Sequence, residues 1–118
     1  MNTNAFFRST MANHFTAKKF FKRVASDIER QLKEWHEDDQ VTSETWRTYS
    51  LCVQRGEITF RVALSKNLVD ILQHEAPYAL DATLWNRLIK QGLELEDAEG
   101  NYQDIALDFF EFKQQKLA

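Results

Sequence analysis

One cysteine, one proline and three glycines are all that this 118-residue chain carries of the residues that staple, break or sharply turn a backbone. The lone Cys52 excludes an internal disulfide and supplies no zinc-ligand set, which fits a reducing compartment. So few breakers imply long regular elements joined by short connections. Charge of neither sign dominates: the net charge is -3 and the pI is near 5.6, which argues against a general nucleic-acid binder, whose domain is usually basic. No apolar run approaches the roughly 18 residues of a membrane span, and no apolar segment follows a basic start. The expectation is a cytoplasmic chain with neither signal peptide nor membrane contact.

What is abundant is aromatic. Nine Phe, three Trp and three Tyr stand in a chain of otherwise ordinary globular composition, expected to form a single domain over residues 1–118, with residues 1–15 as a loosely attached N-terminal helix or arm.

The stretch from Trp46 to Leu64 alternates apolar and polar residues and reads as an antiparallel hairpin, about residues 45–64. A two-residue loop at Arg55-Gly56 sets Val53 against Ile58, Leu51 against Phe60 and Tyr49 against Val62, with Cys52 opposite Thr59 on the polar side. Its apolar face needs a cover, since an isolated hairpin is marginal in water. Thr16 is placed to cap a long amphipathic helix in which Phe20, Phe21, Val24, Ala25, Ile28, Leu32 and Trp35 recur at three- and four-residue spacing. Residues 3–14 suggest a short helix before it, and the segment from Asp39 to Glu44 reads as a loop leading into the hairpin.

Ser65 begins a short helix with Leu68, Val69, Ile71 and Leu72 inward, ended by Pro77. Asp81 is read as the N-cap of the next, with Leu80 and Trp85 as a hydrophobic staple and Gly92 as a left-handed C-terminal cap. Leu93 to Tyr102 suggests a second short hairpin or a loop with two anchored leucines, and Asp104 opens a final helix to Lys116, for which a strand is the alternative. The fold class is α+β: a long helix, a hairpin and three further helices, packed on one face of a small sheet.

Chemistry-bearing constellations are weak. Consecutive helical residues point about 100° apart, so His36, Glu37, Asp38 and Asp39 do not converge on one ion while helical; His14 and His74 lack ligand spacing; Cys52 has no assignable base. No catalytic residue, cofactor or metal is expected. The basic cluster Lys18, Lys19, Lys22 and Arg23 occupies the helix end where the dipole disfavours positive charge, and Glu34 to Asp39 the end where it disfavours negative charge. That inverted polarity suggests a homodimer of antiparallel copies or a charge-matched partner. The doublets Phe6-Phe7, Phe20-Phe21 and Phe109-Phe110 exceed what one helical stripe hides, and Trp46 is a further exposed aromatic, all marking an interface. The expected function is a small non-catalytic protein-interaction module, a regulator, inhibitor, adaptor or accessory protein, with Phe6, Phe7, Lys18, Lys19, Lys22, Arg23, Trp46 and Phe110 at the contact. A nucleic-acid-associated factor using the face from Lys18 to Lys33 is the second reading. A small-ligand or enzymatic domain without a recognisable motif is the third.

Overall fold

A computed structural model of the chain describes residues 10, 13–95, 102, 106 and 107. Within them the fold is α+β: α1 (Ala17–Trp35), β1 (Gln40–Thr45), β2 (Tyr49–Arg55), β3 (Ile58–Leu64), α2 (Lys66–Glu75) and α3 (Ala79–Lys90). The strands form one antiparallel sheet in the order β1-β2-β3. Helix α1 lies against β1 and β2, α3 against β3, and α2 contacts both other helices.

Thr16 is extended, and its Oγ1 accepts from the Lys19 N–H at 3.2 Å, so α1 starts where its cap stands. The break at Phe15 and Thr16 separates it from helical Asn13 and His14; most of the proposed helix over residues 3–14 lies outside the described residues. Phe20, Phe21, Val24, Ile28 and Leu32 are at most 1% exposed, and burying side chains of this size stabilises by about 1.5–3 kcal/mol each. They meet Tyr49, Leu51, Val53, Phe60, Val62 and Leu64 from the sheet and Leu80, Leu84, Trp85 and Leu88 from α3. The doublet Phe20-Phe21 is therefore core and no surplus. Trp85 packs between Trp35 and Tyr102 in tilted arrangements, with centroids 6.2 and 6.1 Å away.

The hairpin has the expected faces and a different register. Arg55 pairs with Ile58, Val53 with Phe60, Leu51 with Val62, Tyr49 with Leu64 and Cys52 with Arg61. The loop is thus Gly56-Glu57, and every expected pair is displaced by two residues. Gly56 has φ +63°, and no non-glycine residue has positive φ among those described. A primed turn with positive φ only at its first central position needs glycine there, and Gly56 can fill that place only if Arg55 belongs to the strand. Trp46 lies in the bend of residues 46–48, outside β2, and the segment read as a loop before it is a third strand, β1.

Ser65 caps α2 through the Leu68 N–H at 3.1 Å, and α2 ends at Glu75 before Pro77. Ile71, expected inward, is 51% exposed, as is Ile58 at 59%; Ile58 sits beside the turn, at the hairpin's outer end. Asp81 is not a cap: α3 begins at Ala79, two residues earlier, with Tyr78 at the N-cap position. Asp81 is fully buried in the first turn, where its carboxylate accepts from the Tyr102 hydroxyl, and the Leu80–Trp85 staple lapses with the cap. Gly92 (φ +105°) closes the helix as expected: the Gly92 N–H reaches the Ile89 carbonyl and the Leu93 N–H the Leu88 carbonyl, the Schellman arrangement. Leu93 is buried in a non-strand segment with Leu95 packed on the core, and Tyr102 is helical; the rest of the suggested second hairpin, residues 96–101, lies outside the described residues. Ala106 and Leu107 are helical; the rest of the final helix expected from Asp104 to Lys116 lies outside the described residues. No described helix is long and apolar enough to cross a membrane.

Candidate interface along the first strand

The two edges of the sheet are treated differently. On β3, the Gln91 side chain acts as a stand-in strand: its Nε2 donates to the Arg61 carbonyl at 2.6 Å and its Oε1 accepts from the Arg61 N–H at 3.0 Å. Both backbone groups of Arg61 therefore point away from β2. In an antiparallel ladder the direction alternates residue by residue, so Ile58, Phe60, Val62 and Leu64 bond inward to Arg55, Val53, Leu51 and Tyr49. Ser50, Cys52 and Gln54 of β2 then serve β1, through Glu44, Thr42 and Gln40. It follows that Val41, Ser43 and Thr45 direct their N–H and C=O groups outward. Among the described residues nothing takes them up.

Beside this bare edge runs an open groove of about 100 Å³, floored by Val41, Thr42 and Ser43 and walled by Lys22, Ala25, Ser26 and Glu29 of α1. Small-molecule sites occupy about 300–1,000 Å³, so this groove is smaller than an ordinary ligand pocket. Val41, Ser43 and Thr45 are half-buried and share the face of the sheet on which α1 lies. A strand added at this edge would turn alternate side chains toward Lys22, Ser26 and Glu29.

Because β1 touches residues 22–29 after α1 has ended at Trp35, it runs back along the helix. The three residues from Ser43 to Trp46 advance about 10 Å, carrying Trp46 toward the end of α1 that bears Lys18 and Lys19. Trp46 is 78% exposed, the most exposed of the described large apolar residues. Lys18 and Lys22 lie one turn apart on α1, and Trp46 follows the end of β1. Lys19 and Arg23 lie on the neighbouring stripe of the helix, and Phe6, Phe7 and Phe110 lie outside the described residues.

The charge pattern is also revised. Arg23 and Arg30 both turn to Asp27, at 3.6 and 3.1 Å, and Lys33 pairs with Glu29 at 3.6 Å. Much of the basic face from Lys18 to Lys33 is neutralised on its own helix, whereas Lys18, Lys19 and Lys22 make no ion pair among the described residues. At the other end Glu37, Asp38 and Asp39 lie beyond the helix, and Asp39 is 1% exposed and held by Arg55 at 2.8 Å. Of that acidic end, Asp39 is neutralised by Arg55, while Glu34, Glu37 and Asp38 stay exposed. Cys52 is half-buried between Thr42 and Arg61, and no metal-competent group of three His, Cys, Asp or Glu side chains occurs among the described residues.

Sequence reasoning missed the groove because it missed β1. The usable signal was the alternation in Gln40 to Thr45, in which every second residue is half-buried. No family model, curated protein or solved structure matches this chain.

Proposed function

We propose that this chain is a non-catalytic protein-interaction module that receives an extended segment of a partner protein as a fourth strand on β1. One observation carries the reading: the Gln91 side chain covers the middle of the β3 edge at Arg61, while among the described residues nothing takes up the outward groups of Val41, Ser43 and Thr45 beside a groove. Folded proteins blunt exposed strand edges because such edges recruit other chains. An edge left open next to a helix offers a partner both backbone hydrogen bonds and side-chain selection. Lys22, with Lys18 one turn away, favours an acidic side chain in the added segment, and Trp46 offers an apolar contact at the end of the strand.

Ser43→Pro tests this. Proline removes an N–H that points outward and serves nothing among the described residues, so the fold tolerates it as edge strands do. Peptides selected from a displayed random library against the wild-type chain are expected to lose at least about tenfold in affinity for Ser43→Pro, one buried backbone hydrogen bond and its neighbours being at stake. Selected peptides that bind both proteins equally would defeat the reading.

A further inference from the structure

We infer that the segment received by β1 is β1 of a second copy of this chain, giving a two-fold dimer with a continuous six-stranded sheet. The inference rests on the strand-addition reading and specifies its partner. The outward-facing residues are Val41, Ser43 and Thr45, so an antiparallel pairing centred on Ser43 is self-complementary: Ser43 meets Ser43 of the second copy, and Val41 meets Thr45. Each facing pair exchanges two backbone hydrogen bonds. A two-fold axis perpendicular to the sheet keeps the helices of both copies on the same side, as an isologous interface requires.

The groove wall carries the same symmetry in charge. Lys22 and Glu29 both line it, with Ala25 and Ser26 midway between them, and they stand two turns apart on one side of α1. Rotation about the axis at Ser43 reverses that order, so Lys22 of one copy faces Glu29 of the other, twice over. Lys22 has no ion-pair partner among the described residues of its own chain. The register also sets Trp46 beside Gln40 of the second copy, giving the most exposed large apolar side chain a neighbour. A peptide of unrelated sequence satisfies the backbone groups equally well, but it has no reason to match the spacing of Lys22 and Glu29.

Sedimentation of the full chain over a concentration series, joined to a charge swap, decides the matter. The wild type is expected to move from monomer to dimer, with a blue shift of Trp46 emission on association. Ser43→Pro is expected to stay monomeric with an unchanged far-ultraviolet circular dichroism spectrum. Lys22→Glu alone places glutamates opposite each other, and Glu29→Lys alone places lysines opposite each other, so each is expected to dimerise at least about tenfold more weakly. Mixing the two variants restores unlike charges at both contacts and is expected to restore the dimer as a heterodimer. The charge variants leave the backbone untouched, so they decide the question even where Ser43→Pro disturbs the strand. A wild type that stays monomeric throughout, a dimer indifferent to Ser43→Pro, or variants that remain monomeric when mixed would each overturn the inference. If the wild type is monomeric yet binds selected peptides in a manner sensitive to Ser43→Pro, only the second copy is refuted. Indifference to Ser43→Pro in both assays refutes strand addition itself.

Discussion

Arg55 holds the Asp39 carboxylate with two prongs, Nε to Oδ1 at 3.0 Å and Nη2 to Oδ2 at 2.8 Å, and its Nη1 donates to the Glu94 carbonyl at 3.4 Å. One side chain on β2 thereby ties the turn after α1 to the segment after α3. Asp39 is 1% exposed, so removing its partner leaves a buried charge uncompensated. Arg55→Ala is expected to lower unfolding free energy by about 3 kcal/mol or more. In urea denaturation, Asp39→Leu combined with Arg55→Met should recover most of that loss, because no charge is then stranded.

Gly56 illustrates a cost that arises from backbone alone. A Cβ added there meets nothing within 4 Å, yet φ is +63°. Gly56→Ala is expected to destabilise by about 1–2 kcal/mol through left-handed strain, and Gly56→Asn by less, since asparagine tolerates this region. Equal losses for both in thermal unfolding would argue for a contact in place of strain.

Gln91→Ala removes both bonds to Arg61 without touching the core. The Arg61 amide is expected to exchange with solvent about tenfold faster, as for a strand residue freed at an edge. The global loss should be about 1–2 kcal/mol. Protection of Arg61 that survives the substitution would mean that something else covers this edge.

Two tryptophans should behave oppositely. Trp85 is fully buried, and Trp85→Ala is expected to cost about 3–5 kcal/mol. Its Nε1 is buried without a hydrogen-bond partner among the described residues, so Trp85→Phe gives up volume but none of the described bonds and should cost clearly less. Trp46→Ala is expected to stay within about 0.5 kcal/mol of the wild type, while weakening whatever docks along β1.

The two faces of the sheet were legible in the sequence, and the pairing between its strands was not. Alternation with period two assigns Leu51, Val53, Phe60 and Val62 to one side, but sliding one strand by two residues preserves that assignment. The hydrophobic pattern is therefore blind to whether Leu51 meets Phe60 or Val62. Only the demand of Gly56 for a particular place in the turn separates them. Strand β1 escaped notice because Val41 is its one strongly apolar residue, so its alternation is visible mainly once β2 is in place beside it. Asp39 and Asp81 were misread for a related reason. Their partners, Arg55 and Tyr102, are sixteen and twenty-one residues away, and local rules offered a helix end and a cap instead. Of the candidate site, Lys18, Lys22 and Trp46 were recognisable as exposed from composition and position; the groove that Lys22 lines depends on β1.

The meander of β1, β2 and β3 has a consequence in time. Each strand pairs with its neighbour in sequence across a turn of two or three residues, so the sheet is built from local contacts, which form early and quickly. The bonds that close the β3 edge join residues thirty apart, from Arg61 to Gln91. During synthesis the sheet can therefore assemble while α3 is still being made, with both of its edges bare. The arrival of Gln91 then covers the middle of the β3 edge at Arg61, so that protection of this edge comes later than the pairing of the strands.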